Sequence, residues 1–115
     1  MKLTSLKTSI EPKEGCVACA MTIIGSKWTA LILRDLAQRP QRFSELERSI
    51  HGINPRTLSQ RLDCLEQQAI IVRHPEPKHQ PCITYSLTKK GQDLIPILEQ
   101  MAIWGTKYLE SIKLT

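Results

Sequence analysis

The sequence predicts a mainly α fold carrying one small β wing, and three observations support that prediction. Apolar residues recur at helical spacing over most of the 115 residues, strict alternation is confined to the stretch ending at Leu87, and Ser26, Ser44, Asn54 and Thr88 read as helix N-caps. With 41% hydrophobic and 23% charged residues, the composition is that of a globular chain, not a collagen-like or disordered one. No apolar run approaches the roughly 18 residues that a membrane span needs, so no membrane role is expected. The rings are few (Trp28, Phe43, Tyr85, Trp104 and Tyr108), so the core is expected to be aliphatic and a base-stacking single-strand binder is disfavoured.

Residues 1–11 show no period and are expected to be a flexible N-terminal arm, leaving 12–115 as a single domain. Small apolar residues from Cys16 to Ile24, stopped by Gly25, predict one short buried helix. Ser26 caps a second helix in which Trp28, Leu31, Ile32 and Leu36 recur, running toward the break at Pro40. Ser44 and Glu47 have capping-box spacing and open a two-turn helix with Leu46 and Ile50 on one side, followed by Gly52 as a left-handed C-cap. Asn54 caps the next helix, Pro55 takes the first helical position where its missing N–H costs nothing, and Ile53 is placed to staple onto Leu58. A short helix, a tight turn and a longer helix make a helix-turn-helix over 44–68.

After Ala69 the period changes. Ile70, Ile71 and Val72 are β-branched, and Ile83, Tyr85 and Leu87 alternate with Cys82, Thr84 and Ser86, which predicts an antiparallel hairpin over 70–87. Its expected tip, residues 73–81, contains three prolines together with Arg73, Lys78, His74 and His79. A hairpin directly after a helix-turn-helix is a wing, so the architecture is a winged helix-turn-helix. Thr88 caps a last helix over 88–112, kinked at Pro96, whose apolar residues form a band too wide for one core face. The economical explanation is a two-fold homodimer in which the N- and C-terminal helices form the interface, with Ile97, Met101, Trp104, Tyr108 and Leu109 at the contact.

The charge of +5 is localised: eleven basic and six acidic residues lie between Ile24 and Lys90, while the flanks balance at five of each. A polyanion is the natural partner of that middle segment. In the helix from Asn54 to Gln68, Leu58, Leu62 and Leu65 fall on one side, whereas Arg56, Gln60 and Gln67 lie opposite, with Thr57, Ser59 and Arg61 on the shoulders. Arg, Gln, Thr and Ser bond to base edges and phosphates, and here they cluster in the N-terminal half that enters a major groove. Double-stranded DNA is therefore the expected partner. Arg56, Thr57, Ser59, Gln60 and Arg61 would read bases or phosphates, and Arg42, Arg73, Lys78 and His79 would anchor the backbone.

The N-terminus, MKLTSLKTSI, has neither an apolar h-region nor a small-residue cleavage site, so a cytoplasmic location with reduced thiols is expected for Cys16, Cys19, Cys64 and Cys82. Cys64 and Cys82 are expected to pack around the recognition helix and wing. Cys16 and Cys19 stand at i, i+3, close enough for thiol chemistry, and three readings stay open: packing, an oxidant or electrophile switch, or zinc. A single CxxC lacks a second ligand pair, so no metal is expected. No Ser-His-Asp set, paired catalytic carboxylates or phosphate-binding glycine loop is present, so neither enzyme chemistry nor a cofactor is expected.

Ile24-Gly25-Ser26-Lys27-Trp28 with Leu31-Ile32-Leu33, then Arg42-Phe43-Ser44-Glu45-Leu46, Leu58-Ser59-Gln60-Arg61-Leu62, and Tyr85-Ser86-Leu87-Thr88 with Gly91, resemble the HxlR-type winged helix-turn-helix regulators, in the right order from about residue 16 to about 105. The resemblance implies a cytoplasmic prokaryotic transcription regulator, dimeric, with a MarR-like architecture in which terminal helices make the dimer. It also implies a sensing role for a cysteine near the start of the first helix, where Cys16 stands, followed here by Val17 where proline is common. The expected function is a homodimeric, sequence-specific regulator on a pseudo-palindromic operator, responsive to a small molecule or to oxidants through Cys16 and Cys19. The alternatives are a winged-helix protein-interaction module, or a small thiol oxidoreductase using Cys16-Val17-Ala18-Cys19. Against the latter, no strand precedes Cys16.

Overall fold

The computed structural model describes residues 12–75 and 83–111, with side chains from residue 17 onward. The elements run α1 (Pro12–Ile24), α2 (Lys27–Gln38), β1 (Gln41–Arg42), α3 (Phe43–Ser49), α4 (Pro55–Gln67), β2 (Ile71–Pro75), β3 (Ile83–Leu87), α5 (Lys89–Gln92) and α6 (Ile95–Lys107), then a 3-10 turn at Leu109–Ser111. The expected arm over 1–11 lies outside the described residues, as does Ile112.

Local capping chemistry explains most of these boundaries. Ser26 Oγ accepts from Trp28 N–H at 3.2 Å and starts α2. Asn54 Oδ1 accepts from Thr57 N–H at 2.8 Å and starts α4, with Pro55 at its first position. The start of α3 differs from expectation: the helix begins at Phe43, and it is Glu45, not Glu47, that reaches back, its Oε1 accepting from Arg42 N–H at 2.8 Å. Ser44 is already inside the helix and caps nothing. Gly52 takes the left-handed conformation at φ 86° in the turn between α3 and α4.

The three strands form one antiparallel sheet in the order β1-β3-β2, with Gln41 and Arg42 opposite Tyr85 and Thr84, and with Ile71 opposite Leu87 through Pro75 opposite Ile83. The wing thus carries a longer ladder than expected. Arg73 and His74 are strand residues and not part of the tip, because β2 is an edge strand, where proline is tolerated. Ile70 precedes the strand. The two residues of β1 are too few to leave an alternating signature.

An aliphatic core joins α2, α3, α4 and β2: Ile32, Leu33, Leu36, Leu46, Ile50, Leu58, Leu62, Leu65, Ile70 and Ile71, with Ile24 and Ile53 at its margins. Against this core, α1 is not the buried helix expected. Val17, Ala18, Cys19 and Met21 are exposed, since only the Ile23–Ile24 end reaches α2. Cys64 is likewise exposed instead of packed, one residue off the Leu58-Leu62-Leu65 stripe and so on the outer side of α4. Cys82 lies outside the described residues.

The last helix is broken, not kinked. Thr88 Oγ accepts from Gly91 N–H at 3.1 Å and caps the single turn of α5; Asp93 and Leu94 keep right-handed dihedrals but form a turn between α5 and α6. A continuous helix would drive the Pro96 ring into the Gln92 carbonyl, so α6 starts anew with Pro96 in its first turn, where no N–H is needed. No residue of α6 is buried.

Candidate nucleic-acid interface

The two faces of α4 separate cleanly. Leu58, Leu62 and Leu65 are buried, while Arg56, Ser59 and Gln60 are exposed and Thr57 and Arg61 half-buried. The side chains of Arg56, Ser59, Gln60 and Arg61 make no hydrogen bond or ion pair with another described residue, so their donors are free for a ligand. The Asn54 cap and Pro55 fix where the helix begins, and hence which residues lead it.

Arg42 and Arg73 are both exposed and stand on opposite edges of the sheet, each across from β3, at Thr84 and Tyr85 respectively. Beside Arg73, the exposed His74 ring meets Ser86 Oγ at 2.9 Å across the wing. Lys78 and His79 lie outside the described residues. The Arg42 N–H bond holds the Glu45 carboxyl below the ordinary glutamate range, with Arg39, 3.4 Å away, adding to the effect.

Tyr85, which sequence reasoning left as an alternating strand residue, ties these parts together. It pairs with Gln41 on one side and Arg73 on the other. Burial pushes its phenol upward, Arg73 pulls it back, and Asp63 and Glu66 of α4 push it further up. Through its backbone the residue sits between β1 and β2, opposite Gln41 and Arg73. The only signal for this was a tyrosine in the middle of an alternating run.

The thiols and the apolar face complete the picture. Cys19 is exposed on α1, and Cys16 occupies the fifth helical position, beyond the first turn whose free N–H groups form the positive end of the helix. Ile97, Met101, Trp104, Tyr108 and Leu109 are all exposed, and Trp104 packs on Tyr108 with ring centroids 5.3 Å apart. An apolar groove of about 680 Å³ runs between α2 and α6, lined by Leu31, Ile95, Leu98, Met101 and Ala102 among others. Among the described residues no cluster of His, Cys, Asp or Glu could hold a metal ion, and no single helix is long and apolar enough to cross a membrane.

A family model described as HxlR-like helix-turn-helix matches residues 23–113. The chain belongs to the HxlR-like helix-turn-helix family. Like its relatives in that family, it is a transcriptional regulator of the helix-turn-helix type and not an enzyme. This HxlR-like chain is 38% identical over 91 residues to the HTH-type transcriptional regulator YvaP of Bacillus subtilis, covering 79% of this chain and 84% of that one. Among solved structures it resembles the redox regulator HypR in its reduced form, at 33% identity and a TM-score of 0.78 over 84% of this chain and 98% of that one. It also resembles the reduced form of the transcriptional regulator YodB from B. subtilis, at 31% identity and a TM-score of 0.74 over 90% and 99%. The helical frame with its small antiparallel sheet is thus a winged helix-turn-helix of MarR-like architecture.

Proposed function

We propose that this regulator acts as a homodimer on a pseudo-palindromic operator, placing α4 of each protomer in successive major grooves. The observation that carries the reading is the free polar face of α4, held at a fixed starting point by Asn54 and Pro55. Arg56 and Gln60 read base edges, Thr57, Ser59 and Arg61 contact bases or phosphates, and Arg42, Arg73, Lys78 and His79 anchor the backbone from both sides. Ile97, Met101, Trp104, Tyr108 and Leu109, with the exposed apolar residues of α1, form the subunit contact; the absence of any buried residue in α6 supports this assignment.

The same reading makes Cys16 and Cys19 the sensing thiols. Oxidation to a disulfide removes two electrons and two protons, which an azo oxidant such as diamide accepts on becoming the hydrazine. Support comes from the exposure of Cys19 and from likeness to a protein described as a redox regulator. Its output is a changed spacing of the two recognition helices.

The test is a titration of the reduced protein onto duplexes recovered from a random pool, with unrelated DNA as competitor, repeated after diamide treatment and with Arg56→Ala and Gln60→Ala. Specific binding that falls steeply with salt and weakens in both variants is expected. An affinity indifferent to both substitutions would refute α4 as the reader. Binding unaltered by diamide would remove the thiols from the mechanism and leave the reader in place.

A further inference from the structure

The end of the recognition helix is tied to the start of the C-terminal helices by a dense set of polar contacts. α4 closes in a Schellman motif: Ile70 N–H donates to the Leu65 carbonyl and Ala69 N–H to the Glu66 carbonyl, both at 2.9 Å. That motif needs a left-handed residue, for which glycine is usual, and here Ala69 adopts it at φ 60°. Thr88 Oγ1 donates to the Ala69 carbonyl at 2.6 Å and lies 3.1 Å from that of Ile70, whose oxygen also accepts from Thr88 N–H at 3.0 Å. Lys90 Nζ donates to the Gln68 carbonyl at 2.7 Å. Gly91 approaches so closely that a Cβ there would collide with the Ile70 carbonyl oxygen.

Three consecutive carbonyls after α4, those of Gln68, Ala69 and Ile70, thus accept from Thr88 or Lys90. Carbonyls at a helix end lack an intrahelical partner and take one from side chains, water or a ligand. The ammonium of Lys90, which charge counting alone assigns to the polyanion, is engaged on the protein's own backbone. The clamp lies between the reading helix and α5, which leads directly into α6.

We propose that Thr88 and Lys90 are positioning residues for DNA reading: they fix α4 against α5 and α6, and thereby set which half-site spacing the dimer accepts. The proposal rests on the homodimer reading above. Half-sites lie roughly 34–36 Å apart, and inserting one base pair both lengthens that separation and turns one site about the duplex axis. Only a stiff joint between α4 and the subunit contact can reject such a shift.

The experiment uses duplexes recovered by the wild-type protein from a random pool, remade with the half-sites one base pair closer or farther apart. The wild type is expected to reject the shifted duplexes by about tenfold, the loss typical of one wrong base pair. Thr88→Val narrows that discrimination to within about threefold while preference within a half-site is kept, and Thr88→Ser restores it. Lys90→Met acts in the same direction with an unchanged salt slope, whereas a lost phosphate contact lowers the slope by about one. Lys90→Met also serves if Thr88→Val does not fold.

A second readout needs no DNA. Spin labels carried by non-thiol chemistry at positions 67 and 100 of one protomer, which spares the exposed Cys19 and Cys64, and diluted with unlabelled protein, report the distance between α4 and α6. Their distance distribution broadens in Thr88→Val and not in Thr88→Ser. Unchanged spacing discrimination, or affinity lost equally on every spacing, overturns the proposal. If the wild type recovers no specific duplex, the operator reading has failed, and an unbroadened label distribution overturns the clamp independently.

Discussion

Replacing Trp104 by alanine tests whether the bare face of α6 is a subunit contact. Trp104 is 62% exposed in the protomer, as open as any large apolar residue on that helix. A tryptophan carries up to about 250 Å² of surface, so about 150 Å² is available to be covered, worth at most about 4 kcal/mol at ~25 cal/mol per Å². Incomplete cover and the ordering of neighbouring side chains reduce this to about 2 kcal/mol. Two-fold symmetry counts the loss twice, so the variant dimer loses about 4–8 kcal/mol and its Kd rises at least about a thousandfold. Sedimentation equilibrium over a concentration series measures this directly. Far-UV circular dichroism should be unchanged, because α6 meets the protomer core through Ile95 and Leu98 and not through the exposed Trp104. A Trp104→Ala protein that associates as the wild type does would refute the assignment of this face.

Arg56→Ala should weaken specific binding by about 1–3 kcal/mol, read by competition titration against unrelated duplex. Leu62→Ala, at a fully packed position of α4, should lower unfolding free energy by about 2–5 kcal/mol in urea titrations with an unchanged slope. Ala69→Gly should raise stability by about 0.5–1 kcal/mol, since glycine adopts the left-handed conformation without the strain of a Cβ. The phenol of Tyr85 is raised in the folded state, so its contribution is fully present below the ordinary tyrosine value of 10.0 and is lost as pH climbs through the higher folded value. Ultraviolet difference titration of the wild type against Tyr85→Phe should show that late-titrating component.

Elements with a local chemical cause were legible in the sequence. Ser26, Asn54, Pro55 and Thr88 mark helix starts because a side-chain oxygen or a missing N–H acts within three residues, and the Leu58-Leu62-Leu65 stripe declares its buried side by period alone. What escaped depends on partners distant in sequence. Pro75 reads as a strand breaker until β2 is known to be an edge, and β1 exists only because Tyr85 and Thr84 are there to pair with it. Ser44 and Glu47 matched a capping pattern, yet Arg42 and Glu45, two residues earlier, form the contact that exists. Cys64 and the first helix were expected to be covered because their composition is apolar, but composition does not say whether the cover comes from the same chain. On the candidate interface, the outer face of α4 was read residue by residue, whereas the clamp at Thr88 and Lys90 was invisible because its acceptors are backbone carbonyls.

The two-residue strand β1 leaves the helix-turn-helix joined to the wing very unequally at its two ends. At one end α4 runs through a Schellman turn straight into the five-pair ladder of β2 and β3; at the other, the strand that leads into α3 pairs with the sheet at two positions, Gln41 with Tyr85 and Arg42 with Thr84. At about 1 kcal/mol for each hydrogen bond, that short ladder contributes less than the five-pair one. Gln41, buried and donating to the Asp35 carbonyl, and Phe43, packed on the core, hold the start of α3 in place, so only the exposed amides of Arg42 and its neighbours should exchange with solvent before those of α4. The reading head is paired with the wing over two residues at its entrance and runs directly into the wing at its exit.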